Sequence, residues 1–168
     1  MTAEKDLHAL LATMHPELRE GEYVYALWPH GKPLAGAISA AVREAEGLTV
    51  VLPRKEADSL GLSYDFVAAW ITLQVHSSLE AIGLTAAVSA ALTEAKISCN
   101  VLAGFHHDHL LVPVADAERA LEVLHELVAA NGEHKPAPEL VLRSEEAADR
   151  PAILALTAAA FAISPATG

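Results

Sequence analysis

A polar segment at residues 76–83, with the sequence HSSLEAIG, carries residue types that can hold a small ligand. It lies between a predicted strand and the first turn of a predicted helix. Free backbone N–H groups at such a turn favour an anionic group, for example the carboxylate of an amino acid. Ser77 and Ser78 offer hydroxyl groups, and Gly83 lets a ligand approach the backbone closely. The segment therefore predicts a binding loop.

Two further polar residues belong to this candidate site. Glu80 can pair with an α-ammonium group, and Asn100 can hydrogen-bond a polar ligand from the adjacent strand. The candidate ligand-binding residues are His76, Ser77, Ser78, Leu79, Glu80, Ile82, Gly83, Leu84 and Asn100. The alternative is that Ser78 caps the helix, Glu80 interacts favourably with its dipole, and nothing binds.

A histidine cluster at residues 106–109, with the sequence HHDH, has the ligand types that zinc, nickel or iron prefer. Successive side chains of an extended hairpin alternate between faces, so only His107 and His109 share one. Two ligands do not make a metal site. The favoured interpretation is a polar turn in which Asp108 accepts local backbone hydrogen bonds. A metal site at His107 and His109 is the weaker alternative.

The sequence has few features of an enzyme. It has no nucleophile elbow, P-loop, HExxH or CxxC motif. His76 adjoins Ser77 and Ser78, but sequence neighbours at a strand end rarely hold the geometry of a nucleophile and its base. Cys99 lies in a predicted strand without a positive neighbour, which favours a buried structural thiol. We therefore expect neither catalysis nor a cofactor.

The elements around the loop form a βαββ unit followed by a helix. Residues 69–75 alternate in strand fashion, and from Gly83 the apolar residues follow a helical period. Residues 97–102 and 110–114 read as strands, and a second helix begins at Asp116. This order is half of a ferredoxin-like layer with helices on one face of the sheet.

The preceding part of the chain has a similar order without the crossover helix. A short helix stopped by Pro16 comes first. The next predicted elements are a strand at 23–28, a loop at 30–36, a hairpin at 37–52 with its tip at Glu46-Gly47, and a helix at 54–60 capped by Gly61. Arg43, Glu44 and Glu46 are interpreted as a solvated, salt-bridged hairpin tip.

Charge and composition exclude several functional classes. The formal net charge is −11, and the eleven Lys and Arg residues are scattered, which argues against binding of nucleic acid. No apolar run approaches the ~20 residues that span a bilayer. A single cysteine and the lack of an apolar signal segment favour a cytoplasmic protein.

Two segments of the second unit resemble the ACT domain, a βαββαβ ligand-binding module. Residues 80–84, EAIGL, stand where Asp-x-Pro-Gly-Leu is common, with Glu80 in place of aspartate and Ile82 in place of proline. Residues 95–100, AKISCN, match a later part of the motif. Segments 43–49, 64–66 and 76–80 extend the resemblance. Together they make residues 15–130 similar to a family of small proteins with two ACT-like halves.

The resemblance implies an α+β protein of tandem ferredoxin-like units, with an antiparallel sheet and helices on one face. The implied division is an abbreviated N-terminal ACT-like unit at 1–62, an ACT domain at 63–132, a linker at 133–139 and a C-terminal appendage at 140–168. The appendage resembles the first strand and helix of a GNAT-type acetyltransferase. It lacks that family's glycine-rich turn and is too short to be active. A simple amphipathic helix is the alternative.

The expected function is non-catalytic binding of a small ligand, most plausibly an amino acid, by a regulatory or sensor protein. A homodimer is expected because edge strands of such units commonly pair. The alternatives are a ligand-free interaction module and a metal-binding protein that uses the histidine-rich turn.

Overall fold

The computed structural model describes residues 6–75 and 80–132 of the 168-residue chain. The elements, in chain order, are α1 (Leu7–Thr13), β1 (His15–Leu18), β2 (Tyr23–Trp28), β3 (Ala40–Arg43), β4 (Leu48–Pro53), α2 (Arg54–Leu60), β5 (Val67–Gln74), α3 (Leu84–Glu94), β6 (Asn100–Ala103), β7 (Asp108–Pro113) and α4 (Ala117–Gly132). A short 3₁₀ turn, Val114–Asp116, precedes α4. Within these two ranges, no helix has the length and apolar character needed to cross a membrane.

The strands form one antiparallel sheet in the order β3-β4-β2-β5-β7-β6. β5 lies at its centre and pairs with β7 along most of its length. On its other side, β5 pairs with β2 through Val67 and Ala68, and with β1 through residues 71–74. One strand therefore joins the two units, and β1 and β2 follow one another along the same side of it.

The helices cover one face of this sheet. Alternate residues of β5, including Ala69, Ile71 and Leu73, are buried in a core with α1, α3 and α4. Val67, on the same face, packs against a smaller cluster that contains Ala57 of α2. The 3.6-residue period of the helices and the two-residue period of the strands bring these apolar faces together.

The opposite face carries a separate aromatic cluster. Tyr23, Trp70 and Leu111 are buried there, with Tyr25 and Phe66 packed against them. The rings of Tyr23 and Trp70 lie 5.1 Å apart, and the guanidinium group of Arg19 lies over Trp70 at 5.0 Å from the ring centre. These aromatic residues thus form a second core on the helix-free face of the sheet.

The predicted fold class is confirmed: the protein is α+β, with an antiparallel sheet and helices on one face. Between β2 and β3 the described chain has no helix, as expected for an abbreviated first unit. Gly61 ends α2 with φ 65°, and its N–H bonds to the carbonyl oxygens of Ala57 and Asp58. That left-handed conformation explains the glycine at this position.

β1 was not predicted. Residues 15–18 have no alternating apolar pattern, and they contain Pro16. In the structure Pro16 is buried opposite Leu73 of β5, in a strand that pairs with β5 alone. Proline is tolerated in a strand with a single partner, because its missing N–H can face away from the ladder. β1 thereby adds a fourth strand beside β6, β7 and β5.

The strand predicted at 97–102 begins later, at Asn100. Lys96 has φ 59°, and the N–H of Ile97 donates to the carbonyl oxygen of Leu92 at 2.9 Å. The first residues of the predicted strand are therefore used to close the C-terminus of α3. Ile97 is buried in the helix-layer core rather than in the sheet ladder.

Candidate functional site

The predicted binding loop connects the end of β5 to the start of α3. Four of its candidate residues, His76, Ser77, Ser78 and Leu79, lie outside the described residues. Glu80 and Ile82 are exposed, and Ile82 has 85% of its surface accessible. A large apolar side chain exposed to this extent is available for contact with a ligand or another chain.

The N-terminus of α3 is placed by Gly83. Gly83 occupies the N-cap position with φ 102°, and within residues 6–75 and 80–132 no side chain caps the helix there. The helix begins at Leu84, and Ser78, which caps it in the alternative interpretation, lies outside the described residues. The N–H of Ala87 bonds to the carbonyl oxygen of Gly83 at 2.9 Å. The earlier N–H groups of this turn have no acceptor within the helix itself, as at the start of any α-helix.

Gly83 and Leu84 also have structural roles. A Cβ atom at Gly83 would lie 2.9 Å from a terminal methyl carbon of Leu7, so α1 packs against the space that a side chain would fill. Leu84 is only 3% exposed and belongs to the helix-layer core. It anchors α3 while its backbone N–H lies in the first turn. The glycine thus has a packing reason that sequence reasoning did not identify.

Asn100 lies apart from this loop in the same chain. It pairs with Leu111 on β7, which in turn pairs with Trp70 on β5. Trp70 lies four residues before Gln74, the last residue of β5, which is about 13 Å along the strand. Asn100 lies two strands away from Trp70, which is about 10 Å across the sheet. Asn100 is exposed on the helix-free face of the edge strand β6. A single copy therefore does not bring Asn100 to the loop.

The histidine-rich turn lies slightly earlier than predicted. The N–H of Gly104 bonds to the carbonyl oxygen of His107 at 3.0 Å, and Asp108 already belongs to β7. His107 Nδ1 lies 3.2 Å from the carbonyl oxygen of Val75, and His109 Nδ1 lies 3.1 Å from Thr72 Oγ1. In residues 6–75 and 80–132, no group of three or more His, Cys, Asp or Glu side chains could hold a metal ion.

The surroundings of His109 and Cys99 favour their neutral forms. Burial lowers the pKa of His109, and the charges of Arg19 and His107 lower it further, while Asp108 acts in the opposite direction. The ring packs against Trp70, with 5.1 Å between the ring centres. Cys99 is half-buried against the helix-layer core, and burial raises its pKa to about 11. It has almost no thiolate at neutral pH, as a structural thiol should.

A cavity of about 380 Å³ lies at the end of β2. It is lined by the loop after that strand and by the β3–β4 hairpin, through Leu27, Trp28, Pro29, His30, Gly31, Lys32, Leu34, Arg43, Glu46, Gly47 and Leu48. Sequence reasoning treated these segments as a plain loop and a solvated tip. The absence of a crossover helix between the predicted strand at 23–28 and the hairpin was the sequence feature that could have predicted this cavity.

The comparisons with known proteins agree with this architecture. Two family models, each described as an ACT domain, match residues 2–69 and 66–126. A crystal structure of a protein of unknown function from Vibrio cholerae, titled a possible transport protein, is 42% identical; the match covers 74% of this chain and 97% of that chain, with a TM-score of 0.62. The chain belongs to the ACT-domain family.

More distant structures share the fold of this chain. A protein from Agrobacterium tumefaciens is 19% identical over 68% of this chain and 89% of that chain, with a TM-score of 0.54. The ligand-free regulatory subunit of aspartate kinase from Thermus thermophilus is 11% identical. The match covers 70% of this chain and 97% of that chain, with a TM-score of 0.52. At these identities the likeness concerns the fold alone. No curated protein matches the sequence.

Proposed function

We propose that this ACT-domain protein is a non-catalytic regulatory module that binds a small ligand, most simply an amino acid, at the loop before α3. The observation that carries the proposal is the first turn of α3, whose N-cap residue, Gly83, provides no side-chain cap. The positive end of the helix and the N–H groups of its first turn, which point out of the helix, suit a carboxylate. Glu80, exposed beside this turn, suits an ammonium group.

The separation of Asn100 from the loop supports a homodimer. Asn100 is on an edge strand, and within one chain it lies about 13 Å along and about 10 Å across the sheet from the end of β5. A second copy that pairs near β6 can present its Asn100 to this loop, which one copy cannot. We therefore propose that the ligand lies between two copies, and that the protein acts in the cytoplasm.

We also propose the division into units at 1–62 and 63–132, with the linker and appendage after them. Within it, α1 and β1 pack on the second unit, through β5 and α4. ACT domains are regulatory and non-catalytic, which supports a protein that is not an enzyme. The acetyltransferase-like segment at 140–168 lies outside the described residues and stays a prediction.

The test is isothermal titration of the full chain with the twenty proteinogenic amino acids, together with light scattering for the mass of the particle. We expect one amino acid to bind. Glu80→Gln should weaken its binding at least about tenfold, because a charge-assisted hydrogen bond is lost. Glu94→Gln, at the other end of α3, is the matched control. Asn100→Ala should weaken binding, whereas Ser98→Ala, which is also exposed, should not.

The outcome separates this function from the alternatives. A dimer that releases no heat with any amino acid, and whose melting temperature none of them shifts, is an interaction module without a ligand. Stoichiometric metal in protein purified without a His-tag would instead favour the histidine-rich turn. The first result would contradict amino-acid binding at the loop before α3.

A further inference from the structure

We propose that the first ACT domain holds a second ligand site, separate from the loop before α3, which takes a small aliphatic carboxylate. The site is the cavity of about 380 Å³ at the end of β2. Its volume lies in the range of small-molecule sites. It stands on its own residues and does not depend on the function proposed for the second domain.

The cavity follows from the abbreviated topology of the first domain. In the second domain α3 connects β5 to β6, whereas β2 is connected to β3 by residues 29–39 without a helix. Trp28, Leu48 and Arg43 are paired in register across three strands, and all three line the cavity. Because a loop replaces the crossover helix, the end of this sheet keeps an open space.

The two walls of the cavity are held in place by hydrogen bonds. On one side, the indole N–H of Trp28 donates to the carbonyl oxygen of Lys32 at 3.1 Å, and the N–H of Lys32 donates to that of Pro29 at 3.2 Å. On the other, Glu44 and Gly47 exchange backbone hydrogen bonds at the hairpin tip. A site with fixed walls loses little conformational entropy when a ligand binds.

The lining chemistry matches a carboxylate with an apolar tail. Lys32 and Arg43 supply two positive charges in a chain of net charge −11, and Glu46 supplies one negative charge. Within the described ranges, these three side chains make no hydrogen bond or ion pair, which corrects the predicted salt-bridged tip. Glu44, by contrast, is engaged, because its carboxylate accepts a hydrogen bond from the hydroxyl of Thr49.

The apolar part of the ligand would meet two exposed leucines. Leu27 and Leu34 line the cavity, and each is 58% exposed. Exposed leucines beside unpaired cations form a surface with an apolar part and a positive part. Lys32 and Arg43 would hold the carboxylate, Leu27 and Leu34 the aliphatic chain, and Glu46 an ammonium group where the ligand has one.

The proposal is tested by NMR titration of the ¹⁵N-labelled full chain with three compounds that share the 3-methylbutyl chain: L-leucine, 4-methyl-2-oxopentanoate and 3-methylbutylamine. The chain has two tryptophans, and the indole signal of Trp28 is assigned by its loss in Trp28→Phe. We expect the two carboxylates, at millimolar concentration, to shift the Trp28 indole and Gly47 amide signals. The amine, which lacks the carboxylate, should not.

Charge variants then identify the groups that bind. Lys32→Gln and Arg43→Gln should each weaken binding of L-leucine about tenfold or more, through loss of a charge-assisted hydrogen bond. Lys55→Gln, at an exposed lysine of α2 outside the cavity, is the matched control and should bind as the parent does. Glu46→Gln should weaken the binding of L-leucine, which has an ammonium group, but not that of 4-methyl-2-oxopentanoate, which has none.

The same spectra distinguish the two sites. Shifts at Trp28 and Gly47 that Arg43→Gln weakens support the second site, whatever happens at Gly83. Shifts confined to Gly83 and its neighbours support the loop site and overturn the second one. No shift at Trp28 with either carboxylate, or equal binding in Arg43→Gln and Lys55→Gln, also overturns it.

Discussion

The packing of Gly83 can be tested by Gly83→Ala. The structure gives two reasons for destabilisation. The φ of 102° is unfavourable for an L-residue, which costs about 1–2 kcal/mol. The new Cβ atom would also lie 2.9 Å from the side chain of Leu7, and moving that flexible side chain costs about 1 kcal/mol more. We expect the free energy of unfolding to fall by about 2–3 kcal/mol.

Three further variants separate these two contributions. Gly61 has a φ of 65°, and no atom lies within 4 Å of the position that a Cβ atom would take there. Gly61→Ala therefore reports the backbone contribution alone. Gly132→Ala has neither feature and should not destabilise the protein. In a Leu7→Ala background, Gly83→Ala should cost no more than Gly61→Ala does, because the contact is absent.

The measurement is urea unfolding followed by far-ultraviolet circular dichroism, with amino-acid titration of each variant. Equal destabilisation by Gly83→Ala and Gly61→Ala, unchanged by Leu7→Ala, would refute the packing argument. If Gly83→Ala instead left stability intact and abolished ligand binding, the glycine would be explained by close approach of the ligand. The experiment thus decides between the two roles of this residue.

Two predictions concern the neutral side chains of Cys99 and His109. With a pKa raised to about 11, Cys99 should react with iodoacetamide at pH 8 about two hundredfold more slowly in the folded protein than in urea, where the pKa is about 8.5; equal rates would contradict its burial. The pKa of His109 is lowered, so on acidification the unfolded state takes up its proton first, near pH 6.5. Its contribution to stability is therefore complete above about pH 6.5 and is lost as the pH falls toward the lowered pKa. Urea unfolding across this window should show a weaker pH dependence in His109→Gln, and an NMR titration midpoint at or above 6.5 would contradict the sign.

The local sequence determined the type of most elements. Alternation in residues 69–75 and the helical period after Gly83 correctly predicted β5 and α3. The apolar run ending at Pro53, and Gly61 after it, predicted β4 and α2 in the same way. These features could be predicted because periodicity and the conformational preferences of glycine and proline act over a few neighbouring residues.

Contacts between distant residues decided the rest. Residues 15–18 have no strand pattern, and they form β1 only because β5 offers them a ladder. Asn100 and the loop before α3 belong to one sequence motif, yet the sheet register places them far apart within one chain. The cavity at the end of β2 also exists only after folding, since its lining residues come from two segments of the chain, within 27–34 and 43–48. Sequence spacing specifies neither strand pairing nor the space left where a helix is missing, because both depend on long-range packing.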